Sequence, residues 1–134
     1  MSYSKRPVIL DADDDPEDRE LLKSTLQEKG VQHEIVETAN GREALLFLRS
    51  SKSLQNPPVL ILLDLNMPIL NGRETLAIIK SESETDNIPV VVFTTSSSPH
   101  DEAFCKRFEV EMITKPETTE QLERVAERLM KYVG

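Results

Sequence analysis

Val59-Leu60-Ile61-Leu62-Leu63, followed at once by Asp64-Leu65-Asn66-Met67-Pro68, is the stretch on which the fold turns. An apolar run without polar alternation reads as a strand covered on both faces, as in a parallel sheet with helices on each side. Val90-Val91-Val92-Phe93 has the same character and ends on Thr94. Outward from this pair, shorter β-rich runs occur at Val8-Ile9-Leu10, Glu34-Ile35-Val36-Glu37 and from Val110 to Thr114.

Each run is followed by a segment with a readable helix start. Asp15-Pro16-Glu17-Asp18 supplies an N-cap, a proline preset for the first helical position and acids near the positive end of the helix dipole. Asn40-Gly41-Arg42-Glu43 and Asn71-Gly72-Arg73-Glu74 resemble capping boxes, Ser98-Pro99 opens a fourth helix, and Thr118 with Gln121 opens a fifth. In the fifth, Leu122, Val125, Ala126, Leu129, Met130 and Val133 form one apolar stripe, which reads as a packing face. Ser50 to Pro58 reads as a longer surface loop. Five strand-helix pairs with right-handed crossovers predict an α/β fold, a five-stranded parallel sheet with helices on both faces. The expectation is one domain over 1–134 with no fused output domain.

Composition narrows the function classes. The 134 residues include 24 Asp and Glu against 16 Lys and Arg, a formal charge of −8. A chain of this length buries roughly two thirds of its unfolded surface, enough for a core without disulfides or structural metal. Cys105 is the single cysteine, which excludes an intrachain disulfide and a Cys/His zinc cluster and suits a reducing cytoplasm. No apolar run approaches the ~20 residues of a membrane helix, so neither a membrane nor a cleaved leader is expected. Acidity and the lack of basic runs argue against direct nucleic-acid binding, which relies on Lys and Arg neutralising phosphates.

Polar residues fall where the strands end. Strand one runs into Asp13-Asp14, strand three into Asp64, strand four into Thr94 and strand five into Lys115. In an open α/β sheet the carboxyl ends of the strands border the ligand crevice, so these five residues should converge. Three carboxylates gathered there repel one another unless a cation or shared proton relieves them. Oxygen ligands without Cys or His favour a hard ion such as Mg²⁺. Asp64 could then act as a nucleophile toward phosphorus, with Lys115 offering a point charge and Thr94 a hydroxyl to the phosphoryl oxygens.

These residues resemble the receiver domain of two-component response regulators, and the likeness covers essentially the whole chain. The motifs are Ile9-Leu10-Asp11-Ala12-Asp13-Asp14-Asp15, Leu63-Asp64-Leu65-Asn66-Met67-Pro68 followed by Asn71-Gly72, Thr94-Thr95-Ser96, and Thr114-Lys115-Pro116. The resemblance implies a flavodoxin-like (βα)5 fold with strand order 2-1-3-4-5. It implies that Asp64 accepts a phosphoryl group from a phosphohistidine on a partner histidine kinase or phosphotransfer protein. Asp14, Asp64 and the backbone carbonyl of Asn66 are then expected to bind Mg²⁺ directly, and Asp13 through water. Thr94 moves to the new phosphoryl group, Lys115 contacts it, and the Lys115-Pro116 bond is expected cis. Asn66 and Ser96 occupy the positions that tune dephosphorylation; both are small and uncharged, which predicts a phosphoryl group neither very short-lived nor very stable. Such a chain is a phosphoacceptor with slow self-dephosphorylation, not a turnover enzyme. It signals to a downstream protein; the face of the fourth predicted helix, fifth strand and fifth predicted helix is a candidate homodimer surface, and the oligomeric state is left open by the sequence.

The chain departs from the family in places. Met112 stands where an aromatic switch residue is common, and Arg107-Phe108-Glu109-Val110-Glu111 lacks a glycine often found there. Asp11 is an acid inside the first strand, read either as a partly solvated position at the sheet margin or as a functional group. The Thr94-Thr95-Ser96 form and Asn56-Pro57-Pro58 look similar to small regulators that partner phytochrome-type sensor kinases. Two alternatives stand beside this reading. Asp11-Ala12-Asp13 also fits the Asp-x-Asp of phosphohydrolases with an aspartate nucleophile, though the chain is short for their cap. A receiver acting only as an unphosphorylated interaction module is the other. His33, His100 and Cys105 read as bland: two solvated histidines, and a thiol in the core or on a surface patch beside Phe104 and Phe108.

Overall fold

A computed structural model describes residues 6–133. Its elements in chain order are β1 (Val8–Ala12), α1 (Pro16–Glu28), β2 (Glu34–Thr38), α2 (Gly41–Leu48), α3 (Ser51–Gln55), β3 (Leu60–Leu63), α4 (Gly72–Ser81), β4 (Val90–Thr94), α5 (Pro99–Arg107), β5 (Glu111–Thr114) and α6 (Thr119–Val133). The strands form one sheet in the order β2-β1-β3-β4-β5, all pairings parallel. Ala12 pairs with Leu63 and Thr38, and Thr94 with Thr114, so the strands end together along one edge.

The period of two in the strands divides the core into two layers. Leu10, Ala12, Ile61, Leu63 and Val92 face one way, under Ala44, Leu48, Leu76, Ile79 and Cys105 of α2, α4 and α5. Ile9, Leu60, Leu62, Val91 and Phe93 face the other, under Leu22, Leu26, Leu122, Ala126 and Leu129 of α1 and α6. Every residue of β3 and β4 is buried, as the apolar runs predict. Truncating one of these leucines to alanine costs about 2–5 kcal/mol, the price of lost transfer energy plus a cavity.

The helix starts are built as the sequence indicates. Asp15 accepts from the backbone N–H of Glu17 and Asp18, Asn40 from Glu43, Asn71 from Glu74, and Ser98 from Asp101. Glu43 completes its box by accepting from the Ala39 N–H at 2.9 Å, and Thr118 accepts from Gln121 while Gln121 accepts from Glu117. Three expectations are corrected. The Ser50–Pro58 segment contains the short helix α3, because the Ser50 hydroxyl caps the Ser53 N–H at 3.2 Å. Asp11 is not at a sheet margin: β1 lies between β2 and β3, and Asp11 is only 3% exposed. The Lys115–Pro116 bond is trans, the form X-Pro bonds usually take.

The missing glycine after α5 has a visible consequence. Glu109 adopts a left-handed φ of 57° at the end of that helix, where Val110 N–H bonds to Cys105 C=O and Glu109 N–H to Lys106 C=O. This is the Schellman arrangement with a side-chain-bearing residue in the position glycine usually fills.

Candidate functional site

The site lies at the carboxyl ends of β1, β3, β4 and β5. Gly72 brings α4 hard against it: a Cβ there would lie 2.0 Å from the Asp64 carbonyl oxygen, so only glycine permits that approach. The Gly72 N–H bonds to Leu65 C=O at 3.0 Å, which closes the loop after Asp64. Asp13, Asp14 and Asp64 each place a carboxylate oxygen within 4.8 Å of the others. Lys115 reaches in from the end of β5, with Nζ 2.7 Å from Asp13, 2.8 Å from Asp18 and 3.2 Å from Asp64.

The convergence expected from the sequence is therefore present for the three acids and for Lys115. Thr94 is fully buried at the end of β4, and its carbonyl accepts from the Lys115 N–H at 2.7 Å. Its hydroxyl accepts from the Ser96 N–H at 3.3 Å. Asn66 is exposed, and its N–H donates to an Asp64 carboxylate oxygen at 3.2 Å. Met112 pairs with Val92 and packs, half-buried, against the core layer that holds Phe104 and Phe108. Cys105 belongs to the same layer and is buried. His100 is exposed and His33 half-buried.

Two groups at the site escaped sequence reasoning. Asp18 reads locally as a helix-dipole acid, yet its side chain meets Lys115 across 97 positions of sequence. Asp101, in the first turn of α5, accepts from Ser96 Oγ with one oxygen and from Arg73 Nε at 2.8 Å with the other. Ser98 and Asp101 have the spacing of a capping box, the only local signal, and it gives no hint of Arg73.

Electrostatics follow from these partners. Burial lowers the affinity of Lys115 for its proton, but hydrogen bonds to Asp13 and Asp18 and the charge of Asp64 outweigh it and hold the ammonium firmly protonated. Burial raises the Asp13 carboxyl against the pull of Lys115. Asp11, desolvated and next to the charge of Asp13, is pushed up to about 8 and is neutral at pH 7. Three carboxylates, of Asp13, Asp18 and Asp64, thus meet one ammonium, and exposed Asp14 adds a fourth beside Asp13 and Asp64. Excess negative charge with oxygen-only donors suits a hard divalent cation, and Asp13, Asp14 and Asp64 could hold one.

Comparison with known proteins decides the family. The response regulator receiver domain family matches residues 9–127. The chain belongs to the response regulator receiver domains. Solved structures similar to this receiver domain include the phosphorylated cyanobacterial phytochrome response regulator RcpA, at 34% identity and TM-score 0.85 over 96% of this chain and 94% of that one. The Mn²⁺-bound form of response regulator Rcp1 is 33% identical, with TM-score 0.83 over 95% and 94%. The bacteriophytochrome response regulator AtBRR is 29% identical, with TM-score 0.73 over 94% and 92%. No curated protein sequence matches the chain. Receiver domains serve two-component signalling, taking phosphoryl groups from histidine kinases and acting on downstream partners. Among the described residues of this receiver domain, no helix is long and apolar enough to cross a membrane.

Proposed function

We propose that this receiver domain accepts a phosphoryl group on Asp64 from a phosphohistidine of a partner histidine kinase, in a Mg²⁺-dependent reaction. The observation that carries the reading is the Asp64 carboxylate at the end of β3, 3.2 Å from Lys115 Nζ and grouped with Asp13 and Asp14. In the transfer an Asp64 oxygen forms a bond to phosphorus while the P–N bond breaks, its electron pair staying on the imidazole nitrogen. Such a transfer needs charge neutralisation and in-line placement more than acid-base groups. Asp14, Asp64 and the Asn66 carbonyl would hold the Mg²⁺ with Asp13 beside them, and the ion supplies neutralisation of the phosphoryl oxygens.

Lys115 offers its ammonium to the incoming oxygens, since it already lies on the Asp64 carboxylate. Thr94 turns its hydroxyl from the Ser96 N–H toward the phosphoryl group as a donor. Phosphorylation then shifts the population between two arrangements of β4, β5 and α5, with half-buried Met112 repacking in place of an aromatic switch. Asn66 and Ser96 tune the self-hydrolysis of the phosphoryl group. The kinase we infer is a phytochrome-type sensor, on the likeness to RcpA and AtBRR. Burial of Asp11 inside the sheet, at 3% exposure, weighs against a first-strand nucleophile, because a phosphoryl donor has no access to it.

Incubation with a small phosphodonor and Mg²⁺ tests the proposal. One acid-stable, base-labile phosphoryl group should be added to the wild type and none to Asp64→Asn; label retained by that variant would overturn the assignment.

A further inference from the structure

Beside the phosphoryl site, and sharing Ser96 with it, lies a second charged cluster. Asp101 is 4% exposed although it carries a charge. Arg73, the second residue of α4, places Nε at 2.8 Å and an Nη at 2.6 Å from Asp101 Oδ1. Ser96 Oγ donates to Oδ2 of the same carboxylate. The Ser96 hydroxyl also accepts from the Ser98 N–H at 3.4 Å. Its single proton is thus committed, and one of its acceptor sites is used.

The carboxylate is well suited to this grip. Burial alone would raise it, but hydrogen bonds from Ser96 and Arg73 and the Arg73 charge hold the Asp101 carboxyl below its usual range. It stays ionised and remains a strong acceptor. Arg73 is carried by the helix that abuts Asp64 through Gly72, and Ser96 by the loop that follows Thr94. The cluster therefore ties the start of α4 to the loop after β4 through the first turn of α5.

We infer that Asp101, clamped by Arg73, is a positioning residue that keeps the Ser96 proton engaged, withholds it from the phosphoryl oxygens, and so prolongs phosphorylation of Asp64. The inference rests on the phosphoacceptor role proposed above. In hydrolysis, water forms a bond to phosphorus and the P–O bond to Asp64 breaks with its electron pair left on the carboxylate. Both water protons leave on dihydrogen phosphate. A free serine hydroxyl can accept from that water and donate to a phosphoryl oxygen; a serine whose proton is held by Asp101 cannot donate.

The test is a cycle of Asp101→Ala and Ser96→Ala, each protein loaded with a small phosphodonor and Mg²⁺, the loading measured by mass before decay is followed. Asp101→Ala should speed loss of phosphoryl about fivefold, and Asp101→Asn, which keeps one oxygen for Ser96, by less. In the Ser96→Ala background, adding Asp101→Ala should change the rate by less than about twofold. An equal effect of Asp101→Ala in both backgrounds overturns the inference, because a merely structural role acts without Ser96. Unchanged or slower decay overturns it as well. If Asp101→Ala does not fold, Asp101→Leu, which fills the space without an acceptor for Ser96, runs the same cycle with the same criteria. A wild type that takes up no phosphoryl group overturns the phosphoacceptor reading and this inference together, whereas normal loading without coupling overturns the inference alone.

Discussion

Two buried ionic clusters lie close together in this receiver domain and are built on opposite principles. At the ends of β1 and β3, Lys115 is one cation among four carboxylates. At the start of α5, Asp101 is one carboxylate with both oxygens satisfied, by Arg73 and by Ser96. The first cluster is left with negative charge to neutralise, and the second is complete within the protein. Asp11 and Asp101 sharpen the point, since both are almost fully buried. Asp11, inside the sheet, is driven up to about 8 by loss of water first and by Asp13 and Glu37 second, while Asp101, gripped by Ser96 and Arg73, is held below the usual carboxylate range. Burial pushes both carboxyls up; hydrogen bonds and the arginine charge reverse it only at Asp101. An undersatisfied cluster is where an external cation and a phosphoryl group can be received, and a satisfied one is where loops can be held.

The contrast can be broken by substitution. The largest effect is expected for Lys115→Ala. Without added divalent cation the variant should lose about 3 kcal/mol of stability in a urea titration, because the buried Asp13 and Asp64 lose their cation. Mg²⁺ should still bind and restore part of the loss, while the conformational response to phosphorylation is impaired. Next, Asp14→Ala should weaken divalent binding, followed by calorimetry, roughly 10- to 100-fold. Asp11→Ala should change it little, and equal effects would revive the Asp-x-Asp hydrolase reading.

The satisfied cluster has a smaller and differently signed dependence on pH. Asp101 has a depressed folded pKa, so its contribution is fully present above the unfolded value of about 4 and is lost as pH falls through the folded value. Asp101→Asn should cost about 1 kcal/mol at pH 7 and make the acid limb of the stability profile shallower than in the wild type. A parallel pair of profiles would mean that Arg73 and Ser96 do not hold an ionised carboxylate. Smallest is Glu109→Gly, outside both clusters. Relief of a left-handed residue should stabilise by up to about 1 kcal/mol, read as a higher urea midpoint.

The layers of the fold follow from features that are local in sequence, whereas the strand order came from the likeness to receiver domains. Val59 to Leu63 and Val90 to Phe93 declare two-sided burial, and each strand is followed by a cap whose geometry needs only three or four residues. The site was legible for a related reason: residues at strand ends converge once the sheet is parallel, so Asp13, Asp14, Asp64 and Lys115 could be grouped before any coordinates. What was not legible depended on distance or on competition. Asp18 and Lys115 meet across 97 residues, and Arg73 and Asp101 across 28, with no local pattern to announce either pair. Asp11 was open to a margin reading because a single acid in an apolar run carries no sign of its neighbours' strands. The α3 helix hid inside a polar stretch because one serine cap and one turn leave little periodicity.

The central claim is that Asp64, and none of the acids crowded around it, receives the phosphoryl group. Reduction of the phosphorylated protein with borohydride converts an aspartyl phosphate to homoserine, and peptide mass spectrometry then locates it. Homoserine at position 64 alone is the predicted result; homoserine at position 11, 13 or 14, or an intact aspartate at 64 in fully loaded protein, would contradict it.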